Sequence, residues 1–205
     1  MTTRFMLARH ATCALTEHML FGRVIDAPLD TRGQRQALAL ARRLASEKPD
    51  AVLSSPRRRA RQTARAIAAF AARTVRVDGR LDELDFGRWS GKSFASLAAD
   101  PDWHRWNHAR ASSATPSGDD MGKAQLRLAQ VLDEMLREFP RQTVVLVTHA
   151  EIIRAALLHF LGKSADDFHE IEIAPASLTV LSVDERGVRI DAVNERVPLE
   201  ERLSA

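Results

Sequence analysis

Thr143-Val144-Val145-Leu146-Val147-Thr148-His149-Ala150-Glu151 is the stretch that decides the fold. Its first six residues are all β-branched or leucine, with no charge among them, as in a strand covered on both faces of a parallel sheet. A helical run from Glu151 to Leu161 follows at once, and Gly162 is placed to cap its C-terminal end. The same strand-then-helix order recurs toward the N-terminus. Arg4 to Ala8 reads as a first buried strand, and Cys13 to Leu29 as an irregular segment. A helix is predicted from Thr31 to Glu47, with Asp30 or Thr31 as its cap, Leu38, Ala41 and Leu44 on its inner face, and Pro49 beyond its end. Ala51 to Ser54 reads as a second strand, after which Ser55 as N-cap and Pro56 in the first turn open a helix reaching Ala72.

Further along, Val75 to Val77 reads as a short strand and Leu81 to Gly91 as a loop with two glycines and three acids. Helical pieces are predicted at Phe94 to Ala99 and Trp103 to His108, then a loop from Ala111 to Gly118 and a longer helix from Met121 to Glu138 that Pro140 ends. Ile171 to Ile173, Leu178 to Val183 and Val188 to Val193 are strand-like, and Glu185-Arg186-Gly187 turns the last two into a hairpin. Alternating strands and helices with a terminal hairpin predict an α/β fold, a three-layer α/β/α sandwich on a mixed, mostly parallel central sheet. A chain of 205 residues is expected to form one domain spanning 1–205, since single cores stop growing only beyond ~250 residues.

Composition narrows the function. Hydrophobic residues at 45% and charged residues at 28% supply a core and exclude disorder of the whole chain. Met1-Thr2-Thr3-Arg4 runs into a strand rather than a signal-type apolar run, and nothing approaches the ~20 apolar residues that span a bilayer. A cytoplasmic location with no membrane partner is therefore expected. The lone Cys13 excludes an internal disulfide and a cysteine-built zinc site. The net charge of +3, carried mostly by arginine, invites a nucleic-acid reading, but the arginines are spread along the helices and offset by 27 acids. No nucleic-acid partner is expected.

Ligands of open α/β sheets sit beyond the carboxyl ends of the parallel strands. Three such ends converge here: Arg9-His10-Ala11, Thr148-His149-Ala150-Glu151, and Ser54-Ser55-Pro56, the last followed by a helix carrying Arg59. Two imidazoles and two guanidiniums at one edge suit a phosphate monoester. Two unit charges ~4 Å apart interact by about 4 kcal/mol at an effective dielectric of ~20, so an attacking group needs several cationic donors around its dianionic target. Arginine grips two phosphate oxygens at once and stays protonated, leaving a neutral imidazole free to attack phosphorus. A proton donor for the departing oxygen is available in Leu81-Asp82-Glu83-Leu84-Asp85-Phe86-Gly87, where three carboxylates compete for the role.

These motifs, in this order, resemble the histidine phosphatase superfamily, the phosphoglycerate mutase-like family. The resemblance runs through Arg9-His10, Asp26-Ala27-Pro28-Leu29, Ser54-Ser55-Pro56 with Arg59-Ala60-Arg61-Gln62-Thr63-Ala64, Glu83 with Phe86-Gly87-Arg88-Trp89-Ser90-Gly91, Pro116-Ser117-Gly118-Asp119, His149 and Arg154. It implies that His10 is the phosphorylated nucleophile, that Arg9, Arg59 and His149 hold the phosphoryl oxygens, and that Glu83 is the general acid and then the base. It also implies that no metal or cofactor is needed and that the protein is a monomer or homodimer. The Phe86 to Gly91 stretch is similar to the phosphatase branch, so a metal-independent phosphomonoester hydrolase acting on a small phosphorylated metabolite is expected. Phosphoglycerate mutase-type transfer and a weakly active phosphate-binding regulatory domain are the alternatives. Ala11 and Ala150 stand where the family commonly has glycine, and Cys13 where it often has threonine.

The substrate stays open among sugar phosphates, nucleotide-derived phosphates and phosphoproteins. Phe21, Gly22 and Arg23, which resemble the branch acting on α-ribazole phosphate, are the candidate substrate-binding residues, and Leu20 to Pro28 with Asp100 to Gly118 are expected to line the pocket. Trp103 and Trp106 are candidates for a lid, and Cys13 for a pocket wall. His104 and His108, four apart, have no carboxylate at zinc spacing. Arg57, Arg58 and Arg61 read as a solvated run, and no Walker loop, dinucleotide fingerprint or serine-hydrolase elbow is present.

Overall fold

The computed structural model describes residues 2–14, 16 and 18–199. Six strands form one sheet in the order β3-β2-β4-β1-β5-β6. They are β1 (Thr3–Arg9), β2 (Ala51–Ser54), β3 (Val75–Val77), β4 (Thr143–Thr148), β5 (Leu178–Asp184) and β6 (Gly187–Glu195). β3, β2, β4 and β1 run parallel, while β5 lies antiparallel to both β1 and β6. The expected mixed, mostly parallel sheet is the one that forms.

The apolar run in β4 explains its central place. Val144 and Leu146 point into one core, against α5 (Met121–Glu138) and α6 (Ala150–Phe160), whereas Val145 and Val147 point into the other, against α1 (Thr31–Ala45) and α2 (Arg58–Ala71). Each of the four is fully buried, worth ~1.5–3 kcal/mol of burial apiece. Two cores on opposite faces of one sheet, each closed by a helix pair, give the three layers. Two short helices, α3 (Phe94–Leu97) and α4 (Pro101–His108), lie between β3 and α5 in sequence. Among the described residues no helix is long and apolar enough to cross a membrane.

Several elements depart from the sequence expectation for identifiable reasons. The buried stripe of α1 runs through Gly33, Ala37, Leu40, Ala41 and Leu44, and Leu38 is left largely exposed. Asp30 is the cap, accepting from the Gly33 amide at 2.6 Å and from the Thr12 hydroxyl at 3.1 Å. A side chain on Gly33 would put its Cβ 2.0 Å from the Thr12 carbonyl oxygen, so glycine here lets α1 press against the segment following β1. Helix α2 begins at Arg58 rather than beside Pro56: the Ser55 hydroxyl accepts from the Arg57 amide at 3.2 Å in the turn that precedes the helix, and Asp26 accepts from the Arg58 amide at 2.6 Å. Ile171 to Ile173 does not join the sheet. Both isoleucines are buried, which mimics a strand pattern, but the Ile171 and Ile173 carbonyls accept from Arg154 and Arg9 at 2.8 and 2.6 Å. Arginine donors take the place of a neighbouring strand.

Candidate active site

Strand register builds the site. β1 and β4 pair with Arg9 opposite Thr148, and the His10 amide continues the ladder to the Thr148 carbonyl at 3.0 Å. β2 pairs with β4 so that Ser54 faces Val147, and the Ser55 amide donates to the Val147 carbonyl at 2.9 Å. His10, His149 and Ser55 are therefore the first residues past three adjacent strand ends. The imidazole centroids lie 5.2 Å apart.

Hydrogen bonding assigns the tautomers. His10 Nδ1 lies 2.8 Å from the Ala11 carbonyl, which only accepts, so Nδ1 carries the proton. The lone pair is then on Nε2, which receives the Arg59 Nε–H at 3.2 Å. Burial first, and then the Arg59 and Arg9 charges, hold His10 well below the ordinary histidine range, so its imidazole is neutral. His149 is fully buried and takes the Arg59 Nη2–H on Nδ1 at 3.2 Å, so its Nε2 donates to the Ser55 hydroxyl at 2.8 Å. Ser55 passes its own proton toward Asp82 at 3.2 Å. Burial, with Arg59 next, likewise keeps His149 neutral.

Arg59 is the hub, with its guanidinium aimed by the Gly22 and Ile25 carbonyls at 2.9 and 3.2 Å. Gly22 sits at φ +55°, and a Cβ there would lie 2.5 Å from the Ser90 hydroxyl oxygen, so glycine is what turns that carbonyl inward. Arg9 is anchored to the Ile173 carbonyl, its Nε has no hydrogen-bond partner among the described residues, and burial lowers its pKa to about 10. Thr63 ties α2 to the segment after His10, accepting from the Ala11 amide at 3.1 Å and donating to the Arg59 carbonyl at 2.9 Å.

Glu83 faces this group with its Oε2 3.8 Å from His149 Nδ1, and its Oε1 accepts from the Leu84 amide at 3.0 Å. Burial, reinforced by the Glu151 charge, pushes its carboxyl up to about 7. Neither competitor is free: Asp82 is paired with Arg57 at 3.0 Å, and Asp85 accepts from the Gly87 amide. Arg57 is thus part of the site's support rather than of a solvated run.

A pocket of about 530 Å³ opens over these residues. His10, Arg9, Arg59, Glu83 and Ala150 line it, and His149, fully buried, reaches this group through its Nδ1 contact with Arg59. Phe21 and Gly22 also line it, but Arg23 does not. Its guanidinium donates to the Glu83 carbonyl at 2.7 Å and pairs with Asp119 at 2.9 Å, which props the Glu83 loop from outside. Cys13 is packed in the core on the α1 side, its thiol pushed up to about 11 by burial, and is not a pocket wall. Trp103 reaches the pocket, whereas Trp106 is buried in a cluster with Trp89 and Phe86 and belongs to the core. His104 and His108 are exposed, and among the described residues no group of three or more His, Cys, Asp or Glu could hold a metal ion.

Sequence reasoning missed the pocket's other polar wall. Glu151 pairs with Arg110 at 2.6 Å and with Arg154 at 2.7 Å, and the Arg110 guanidinium is clamped between the rings of Trp106 and Phe168. Glu151 and Arg154, three apart at the start of α6, were the available signal. Nothing in the sequence around Arg110 marks it.

A neutral imidazole backed by arginines, beside a carboxyl that is half protonated near neutrality, defines a phosphoric monoester hydrolase. The chain belongs to the histidine phosphatase superfamily, whose branch 1 description matches residues 5–196. It is 29% identical over 185 residues to phosphoserine phosphatase 1 of Hydrogenobacter thermophilus, covering 89% of this chain and 88% of that one. A bifunctional protein of Mycobacterium tuberculosis is 32% identical over 180 residues, which are 87% of this chain and 50% of the longer protein. The structure of a mycobacterial glucosyl-3-phosphoglycerate phosphatase superposes with a TM-score of 0.84 at 26% identity, over 95% of this chain and all of that one.

Proposed function

We propose that the protein hydrolyses a small phosphomonoester through a phosphohistidine on His10 Nε2. The observation that carries this is the tautomer. With Nδ1–H fixed on the Ala11 carbonyl, the only lone pair of a neutral, buried imidazole faces the pocket beside Arg59. An arriving phosphate takes over the Arg59 and Arg9 nitrogens. Its charge also favours protonation of His149, whose Nδ1 then becomes a further donor to the phosphoryl oxygens.

In the first step Nε2 forms a bond to phosphorus as the ester P–O bond breaks, and Glu83 gives its proton to the departing alkoxide. In the second, ionised Glu83 takes a proton from water, the water oxygen attacks phosphorus, and the P–N bond breaks to return the lone pair to His10. A carboxyl poised at about 7 serves both directions near neutral pH. Delivery of the phosphoryl group to a second hydroxyl of the substrate, the mutase alternative, would differ only in the final acceptor.

The test is turnover of p-nitrophenyl phosphate. Activity is expected to persist in EDTA, to be blocked by vanadate, and to vanish in His10→Ala. Loss in EDTA together with retention in His10→Ala would remove the proposal.

A further inference from the structure

Away from the imidazoles and guanidiniums, the pocket is walled by Leu20, Phe21, Phe86, Phe94, Trp103 and Phe168. The polar side chains that share this wall are largely bound to one another. Arg110 spends one terminal nitrogen on Glu151 and the other on the Asn107 side-chain Oδ1 at 2.7 Å, and both its faces are covered by rings. The Asn107 side-chain Nδ2 donates to the Trp103 backbone carbonyl at 2.9 Å. Arg154 commits two of its three nitrogens, to Glu151 and to the Ile171 carbonyl, and Glu151 is held through both oxygens. Among the described residues of this wall, a hydroxyl, ammonium or carboxylate on the leaving group would lose water and find one remaining Arg154 nitrogen as its partner. A ring would gain apolar contact with Leu20 and edge-to-face stacking against the aromatic side chains of this wall.

We propose that this pocket selects phosphomonoesters whose leaving alcohol carries an aromatic or similarly flat apolar group, over small zwitterionic or polyhydroxylated esters. The inference rests on the hydrolase reading above and adds the class of substrate. It also separates this chain from what the name of its Hydrogenobacter relative suggests.

Benzyl phosphate, O-phosphoserine and glycerol 3-phosphate test it, because all three release alkyl alcohols and the acidity of an aryl leaving group does not enter. The expected kcat/KM for benzyl phosphate exceeds that of the other two by roughly tenfold or more, the discrimination an apolar pocket supplies. Phe94 is 40% exposed, so Phe94→Ala leaves the fold intact. That variant should lower the ratio of kcat/KM for benzyl phosphate to that for phosphoserine several-fold, chiefly through a higher KM for benzyl phosphate. Trp103→Ala should act in the same direction. Phosphoserine or glycerol 3-phosphate matching benzyl phosphate overturns the inference, as does an unchanged preference in both variants. Absence of turnover on all three esters and on p-nitrophenyl phosphate removes the hydrolase reading as well, whereas turnover led by phosphoserine removes this inference alone.

Discussion

Glu83→Gln separates the catalytic role of the carboxyl from its energetic effect on the fold. Moving a carboxyl from 4.5 to about 7 disfavours its ionised form by about 3 kcal/mol, at about 1.4 kcal/mol per pH unit. The folded protein holds this proton more tightly than the unfolded chain does. The resulting stability is complete below the unfolded value of 4.5 and is lost as pH rises from there through about 7. Glutamine of similar shape carries no charge to bury. Urea denaturation should therefore find Glu83→Gln more stable than the wild type by up to about 3 kcal/mol near pH 8.5, and nearly equal to it near pH 4.5. In kinetics the same variant should lose roughly 10²–10⁴ in kcat for an alkyl phosphate. The wild-type profile should fall on its alkaline side near 7, and this limb should be absent from the residual activity of the variant. A stability difference independent of pH, or an alkaline limb preserved in Glu83→Gln, would refute the assignment of that proton to Glu83.

Arg59→Lys keeps the charge but loses the fork that meets His10, His149, Gly22 and Ile25 together, and steady-state kinetics should show kcat/KM down by roughly 10²–10³. Ser55→Ala removes the acceptor of the His149 Nε2 proton and the link to Asp82, so kcat should fall roughly tenfold with a much smaller change in KM, measured on the same substrate. Gly33→Ala forces a Cβ toward the Thr12 carbonyl oxygen, 2.0 Å away before any shift, and thermal denaturation should report a loss of about 2–4 kcal/mol.

The catalytic edge was legible because parallel strands place the residues after their C-terminal ends side by side. Motifs at Arg9-His10, Ser54-Ser55 and Thr148-His149 are each short, but the sheet register turns them into one cluster. Side-chain direction was not legible. Arg23 lies one residue from Gly22 yet turns toward Asp119, since the chain at Gly22 takes a positive φ that no neighbouring residue signals. Ile171 to Ile173 shows the same limit for backbone. Alternating burial predicts a strand, but whether the carbonyls meet a ladder or an arginine depends on side chains more than 15 positions away, Arg154 at 17 and Arg9 at 164. Arg110 was invisible because its place is fixed by two rings and a carboxylate drawn from three different segments.

The most direct measurement is the site of phosphoryl transfer. Rapid mixing with substrate, an alkaline quench that preserves phosphohistidine, and peptide mass spectrometry should find one phosphoryl group on the peptide containing His10. It should be absent in His10→Ala and, with p-nitrophenyl phosphate, whose leaving group departs without a proton, should accumulate when Glu83→Gln slows the water step. A phosphoryl group on His149 or on any other side chain, or full turnover by His10→Ala, would contradict the account.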